Sequence, residues 1–83
     1  MQSIEKILEI VNEIFVDVLE NDEIQVNYET TAREIEEWDS LNHISLVISI
    51  ERKFNIHFTA QEIQSFKNVG EMCSNILLKL STS

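Results

Sequence analysis

Three side chains of the types found in hydrolase triads lie close together in the sequence, at Asp39, Ser40 and His43. A serine nucleophile, a histidine base and an orienting carboxylate would be the parts of such a site. However, a separation of three residues on one helix leaves no deep pocket, and the single glycine, Gly70, provides no glycine-shaped loop for an oxyanion. The spacing therefore disfavours a hydrolase, and we expect His43 to face solvent or a partner protein.

The same segment is typical of the start of a helix. Aspartate is a strong N-terminal cap, so a helix is predicted to begin at Asp39 or Ser40. Ser40 would then lie at the positive end of the helix dipole, with its hydroxyl toward water and beside backbone amides that have no partner within the helix. An anionic group attached to this hydroxyl would be stabilised.

The remaining reactive residue types predict no second site. We expect His57 to lie in a loop, and two separated histidines with scattered carboxylates do not form a recognisable metal-ligand spacing. Cys73 is the only cysteine, so it cannot close a disulfide within the chain, and we expect it to be buried. The sequence contains no glycine-rich phosphate loop and no dinucleotide-binding pattern.

Four helices are predicted to position the Asp39-Ser40 segment, because apolar residues recur at three-and-four spacing after recognisable caps. The predicted helices run from Ile4 to Leu19 with Ser3 as the cap, from Asp39 or Ser40 to Phe54 or Asn55, from Thr59 to about Phe66, and from Asn68 to the end. The fold class is therefore all-α, a small four-helix bundle with three longer helices and one short helix.

A long loop is predicted between the first and second helices, from Glu20 to Asp39. It exceeds the roughly 2 to 8 residues usual between bundle helices, so we expect it to be anchored against the core. Residues 30–35 could form one short turn of helix. The expected anchors are the apolar residues of the loop, Ile24, Val26, Tyr28, Ile35 and Trp38.

Length and charge limit the classes of function. A chain of 83 residues is too short to support two hydrophobic cores, so we expect one domain over residues 1–83. No stretch approaches the roughly 18 apolar residues of a membrane span, and we expect a cytoplasmic protein without a membrane partner. The formal net charge of −9 disfavours nucleic acid as a partner and favours a soluble monomer.

The ordered set of motifs resembles the acyl carrier proteins, which are small acidic helical bundles. In that family an Asp-Ser-Leu motif opens the second helix and bears a 4′-phosphopantetheine arm, and here the motif is Asp39-Ser40-Leu41. The likeness extends over nearly the whole chain. It includes the first amphipathic helix, the long loop, the segment Ile50–Ile56 that closes the second helix, and the segment Phe66–Glu71 that leads into the last helix.

The resemblance implies a non-catalytic carrier. A phosphopantetheinyl transferase would attach the arm of coenzyme A to the Ser40 hydroxyl, and the arm would hold acyl groups as thioesters. Asp39 would help to position metal and coenzyme during loading, and Leu41 and Ile44 would contact the transferase or the arm. Further partners would be enzymes that load, transfer or condense the acyl groups.

The resemblance also implies two sets of contact residues around Ser40. The residues expected to contact partner enzymes are Trp38, Asn42, His43 and Ile44. In carriers of multi-enzyme fatty acid synthesis the acyl chain can enter an apolar cleft between the second and third helices. The corresponding candidates for lining an acyl cleft are Ile44, Ile48, Ile63 and Phe66, although the same residues could simply fill the core.

Two departures from the family pattern favour a specialised pathway over housekeeping fatty acid synthesis. The second helix of the family is usually rich in acids, whereas here it carries only Glu51 against Arg52 and Lys53. Docking should therefore depend less on charge. Trp38 stands where the family often has glycine or a smaller residue. The pathways we consider are polyketide synthesis, lipid modification and acylation of surface sugars.

Two other functions remain open from the sequence. An aminoacyl or peptidyl carrier of nonribosomal synthesis shares the fold and the arm, but such carriers tend to have Gly-Gly before the serine region. A small helical adaptor would bind another protein through an apolar groove and would never carry an arm. The adaptor would tolerate Ser40→Ala, whereas a carrier would lose its function.

Overall fold

The chain folds into four helices, as the sequence predicts. The computed structural model describes residues 3–82, and within this range no residue belongs to a β-strand. The helices are α1 (Ile4–Leu19), α2 (Ser40–Phe54), α3 (Ala60–Ser65) and α4 (Val69–Thr82), with a 3₁₀ turn at Ala32–Glu34 in the loop between α1 and α2. The all-α fold, with three longer helices, one short helix and a long first loop, is confirmed.

The ends of α1 are set by local interactions. The Ser3 hydroxyl accepts a hydrogen bond from the backbone N–H of Lys6 at 3.2 Å, so the predicted cap is present. At the other end Glu20 adopts a left-handed conformation with φ of 53°, which turns the chain out of the helix. Asn55 ends α2 in the same way, with φ of 57°. Asparagine adopts this conformation more readily than most residues.

The starts of α3 and α4 also follow the predicted pattern of capping. The Thr59 hydroxyl accepts from the N–H of Glu62 at 3.1 Å, and the Glu62 carboxylate accepts from the N–H of Thr59 at 2.8 Å. At α4 the Asn68 side chain accepts from the N–H of Glu71 at 2.8 Å. The bonds at α3 are reciprocal, and at both helices they satisfy amides that a helix start leaves without partners.

The buried faces of α1, α2 and α4 meet in one hydrophobic core, to which the loops add side chains. Cys73 lies in this core with no exposed surface, as expected. The fully buried side chains with the largest volumes are Phe15, Ile7, Leu46, Ile50, Met72, Ile76, Val11, Val47 and Val69. No helix within residues 3–82 has the length and apolar content needed to cross a membrane.

The long loop is fastened to the start of α4. The N–H groups of Val69 and Gly70 donate to the carbonyl oxygens of Thr30 and Tyr28, at 2.9 and 2.8 Å. Of the predicted anchors, Val26 and Trp38 are buried, and Ile24 and Ile35 pack partly buried against the core. The prediction for Tyr28 was wrong, because its side chain remains 37% exposed and its backbone carbonyl makes the attachment.

Candidate functional site

The Ser40 side chain lies exposed at the first residue of α2. Asp39 caps the helix: its carboxylate accepts from the N–H of Asn42 at 2.8 Å, and its carbonyl accepts from the N–H of His43 at 2.8 Å. The N–H groups of Ser40 and Leu41 have no acceptor in the described part of the chain. Two free amides and the helix dipole therefore favour an anion close to the Ser40 hydroxyl.

Asn42 connects the loop to the helix. Its side-chain amide donates to the backbone carbonyl of Glu37 at 2.8 Å, and its side chain is only partly exposed. We expected Asn42 to contact partner enzymes. The structure gives its amide a partner inside the chain, where it helps to hold the residues before Ser40 in place.

Trp38 points into the core, which corrects our expectation that it would contact partners. Its side chain is 5% exposed, and its ring meets that of Phe15 edge to face with 4.9 Å between the ring centroids. The aromatic residue next to the site therefore does not obstruct Ser40. Burying a large apolar ring in contact with α1 is favourable, and this contact draws the indole away from solvent.

His43 also differs from our expectation of a side chain that faces solvent or a partner. The indole N–H of Trp38 donates to Nδ1 of His43 at 3.0 Å, and Nε2 of His43 lies 3.0 Å from the carbonyl oxygen of Ile63. Because an indole N–H can only donate, Nδ1 must be the acceptor, and the imidazole proton is on Nε2. Through these two bonds the ring joins the loop, α2 and α3.

These bonds bear directly on the hydrolase hypothesis. Both ring nitrogens of His43 are engaged by Trp38 and Ile63, so neither is available to take a proton from Ser40. Asp39 uses a carboxylate oxygen to cap α2 and makes no hydrogen bond with the imidazole. The three residue types are adjacent in the sequence, but the structure does not connect them as a triad.

An open groove of about 670 Å³ lies beside Ser40. Three of the four predicted cleft residues, Ile44, Ile63 and Phe66, line it, whereas Ile48 does not and is 44% exposed on the surface of α2. Rings cluster at this groove: His43 and Phe66 have centroids 6.3 Å apart, and Phe66 meets Phe58 edge to face at 5.1 Å. The groove is therefore a surface feature beside a packed aromatic cluster.

Two further groove residues, Ala32 and Gln64, were not predicted. Ala32 lies in the 3₁₀ turn of the long loop, where no periodic pattern indicates which side chains approach α2. Gln64 follows Ile63 on the short helix α3. The only sequence feature that could have indicated Gln64 as a groove residue was its position next to Ile63, which was predicted to line the groove. Within residues 3–82, no three side chains of the metal-binding types are grouped closely enough to hold a metal ion.

Comparisons with known proteins agree with this geometry. Residues 9–76, which include Ser40, match the family described as "Phosphopantetheine attachment site". The structure is similar to the solution NMR structure of a holo acyl carrier protein from Geobacter metallireducens, with 37% sequence identity and a TM-score of 0.85. That match covers 90% of this chain and 86% of the Geobacter protein. The likeness therefore extends over almost the full length of both chains.

Proposed function

Because the chain belongs to the phosphopantetheine attachment-site family, we propose that it is an acyl carrier whose 4′-phosphopantetheine arm is attached to Ser40. The observation that carries this proposal is the exposed Ser40 hydroxyl at the first residue of α2, beside the free amides of Ser40 and Leu41. The attached arm supplies a terminal thiol that holds acyl groups as thioesters. The residues present fit its phosphodiester, since a helix N-terminus stabilises an anion.

The chain's own residues present the hydroxyl for loading. Ser40 Oγ would form a bond to the phosphorus that carries the pantetheine arm of coenzyme A. The bond from this phosphorus to the nucleotide part would break, and the nucleotide part would leave. The hydroxyl proton would pass to a base of the transferase, because His43 has no free ring nitrogen. Asp39 is exposed and uses Oδ1 for its cap, which supports a role for Oδ2 in positioning metal and coenzyme A.

The groove beside Ser40 would receive the first part of an acyl group. Ile44, Ile63 and Phe66 give it an apolar lining, and it adjoins the attachment point. Ile48 is directed to the outer surface of α2, so we do not retain it as a cleft residue. Apolar cargo in this groove would lose part of its contact with water, which is favourable.

We further propose that the carrier serves a specialised acyl pathway. The one carboxylate of α2, Glu51, lies in the last turn of the helix and accepts a hydrogen bond from the N–H of Phe58 at 2.8 Å. A helix with so few acids offers little to an enzyme that docks through basic residues. Growth of cells that lack their own fatty-acid carrier, when this protein is supplied, would contradict the proposal.

Two predictions from the sequence remain part of this proposal. We expect a monomer, since the formal net charge of −9 disfavours association between copies. We also expect the protein in the cytoplasm, together with the transferase and the enzymes that load, transfer or condense its acyl groups.

The proposal is tested by intact-protein mass after incubation with coenzyme A, magnesium and a broad-specificity phosphopantetheinyl transferase. The wild type should gain the mass of one arm, and Ser40→Ala should gain none. Ser45→Ala is the matched control, because Ser45 is an exposed serine on the same helix, and it should be loaded like the wild type. Failure of a folded wild-type sample to gain mass with several transferases would favour the helical adaptor instead.

A further inference from the structure

The floor of the groove beside Ser40 is made of side chains that the fold has already buried. Trp38 and Phe66 both line the groove, yet only 5% of the first side chain and 9% of the second are exposed. An aromatic ring with so little exposed surface presents no more than an edge to the groove. The groove therefore ends at the edges of two buried rings.

His43, which also lines the groove, lies between these two rings. Its imidazole stacks on the indole of Trp38 with 6.0 Å between the centroids, and it meets the ring of Phe66 at 6.3 Å. The two hydrogen bonds of the imidazole, from the indole N–H and with the carbonyl oxygen of Ile63, hold it in this place. We call Trp38, His43 and Phe66 the ring floor.

The ring floor is braced at both ends by further aromatic side chains. Trp38 meets Phe15 edge to face at 4.9 Å, and Phe66 meets Phe58 edge to face at 5.1 Å. Phe15 and Phe58 are themselves buried in the core. Neither end of the ring floor can therefore turn aside without disturbing the packing of the core.

An alkyl chain that passed from the groove to the space between α2 and α3 would have to displace His43. Such a chain has no hydrogen-bonding groups, so the indole N–H of Trp38 and the carbonyl of Ile63 would both lose their partner. A donor or acceptor without a partner in a largely buried place is unfavourable. Above the ring floor the chain keeps one side in water, so added length is stabilised much less there.

Resting on the proposed function, we propose that the ring floor keeps the acyl cargo in the open groove, and that His43 is the residue that limits the length of cargo the protein can shelter. The class of cargo that fits is an acyl group that is short or that carries hydroxyl groups, because the outer side of the groove is open to water. The exposed side chains of Asp39 and Gln64 line the same groove and offer hydrogen bonds to such groups.

Acyl arms of different length test this limit. The broad-specificity transferase attaches the arm from butanoyl- or dodecanoyl-coenzyme A, intact mass establishes one acyl arm per chain, and the Tm of each product is measured. Each CH₂ group buried within the protein would raise Tm by roughly 3 to 6 °C in a domain of this size. For the wild type we expect the Tm of the dodecanoyl product to exceed that of the butanoyl product by less than about 5 °C. A larger rise would overturn the proposal.

His43→Ala should open the ring floor, so that part of a long chain fills the vacated space. Its dodecanoyl product should then exceed its butanoyl product by at least about 10 °C in Tm. Each variant is compared with itself, so a general loss of stability cancels. A smaller rise in His43→Ala would overturn the role of His43. If His43→Ala does not fold, Phe66→Leu replaces it, because this change also removes a ring from the floor.

Gly70→Ala is the matched control for lost stability. A Cβ atom at this position would lie 2.7 Å from the carbonyl oxygen of Tyr28, a contact outside the groove, so the change should destabilise the protein without opening the ring floor. Its two products should differ in Tm as little as those of the wild type. A rise equal to that of His43→Ala would overturn the proposal, because general loosening would then explain both.

The same experiment separates this proposal from the proposed function. A folded wild type that never gains an arm from several transferases would refute the carrier itself. A wild type that gains the acyl arm, but whose Tm rises steeply with the length of the chain, would refute the ring floor alone.

Discussion

At the scale of single residues, the structure separates two side chains of nucleophilic type. Ser40 is exposed at the start of α2, whereas Cys73 has no exposed surface and lies in the core. Burial raises the pKa of the Cys73 thiol to about 11, because the charged thiolate loses its hydration. At neutral pH the cysteine is therefore both protonated and inaccessible, whereas the proposed attachment residue, Ser40, is open to solvent.

A count of reactive thiols tests this difference. The native apo-protein should react very slowly with a disulfide reagent near pH 7.5, since a thiol of pKa about 11 is almost wholly neutral there. Loading should add one rapidly reacting thiol, which is the thiol of the arm. Unfolding the apo-protein should make one thiol reactive, which is the thiol of Cys73. Cys73→Ala should remove only the second. Rapid reaction of the native apo-protein would contradict the prediction.

At the scale of elements, α3 depends on its neighbours, because a helix of six residues is not stable alone. The Lys79 ammonium on α4 lies 2.9 Å from the Glu62 carboxylate, and His43 on α2 bonds to the Ile63 carbonyl. The backbone hydrogen bond from Thr59 and then the contact with Lys79 lower the pKa of Glu62. Contacts with α2 and α4 thus hold α3 in position, and α3 forms one wall of the groove.

His43→Leu should show the contribution of the imidazole to this arrangement. The substitution leaves the indole N–H of Trp38 and the carbonyl of Ile63 without partners, so unfolding free energy should fall by about 2 kcal/mol. The measurement is urea unfolding followed by circular dichroism. The matched control is His57→Leu, in the exposed loop before α3, which should change stability by less than about 0.5 kcal/mol. Equal losses in the two variants would contradict a structural role for His43.

At the scale of the whole molecule, the proposed attachment site at Ser40 depends on contacts between segments far apart in the sequence. The loop that leads to Ser40 is bonded at Tyr28 and Thr30 to the first turn of α4. A Cβ atom at Gly70 would lie 2.7 Å from the Tyr28 carbonyl oxygen, so the close approach of loop and helix requires glycine there. One hydrophobic core supports these contacts, and a single domain over residues 1–83 stays a prediction.

Gly70→Ala tests the closeness of this contact. Alanine in a helix is normally favoured over glycine by about 1 kcal/mol, so without the contact the change should stabilise the protein. We expect the opposite, a loss of about 1 to 3 kcal/mol in urea unfolding, because the new methyl group forces the backbone of Tyr28 away. Ser74→Ala, at an exposed position of the same helix, should have little effect. A more stable Gly70→Ala protein would show that the loop moves aside at no cost.

The helices and the exposure of Ser40 were predictable because their causes are local. Helix starts depend on bonds between residues three apart, as between Thr59 and Glu62, and the predicted bounds of α1 agree with the structure. Asp39 caps α2 in the same way, which places Ser40 at the first residue of the helix. In α1 the apolar pattern read along the chain also indicates the buried face correctly. In α2 it does not, because the spaced apolar residues Leu41, Ile44 and Ile48 are exposed, whereas Leu46 and Ile50 are buried.

The directions of Trp38, His43 and Ile48 were decided only by the tertiary structure. Trp38 packs on Phe15, 23 residues earlier in the chain, and His43 bonds to the carbonyl of Ile63, 20 residues later. No local pattern encodes these partners, because they meet only after the helices pack. The same packing leaves Ile48 outside the groove and brings Gly70 against Tyr28. Local interactions thus determine where elements begin, whereas the side chains around Ser40 are oriented by contacts between elements.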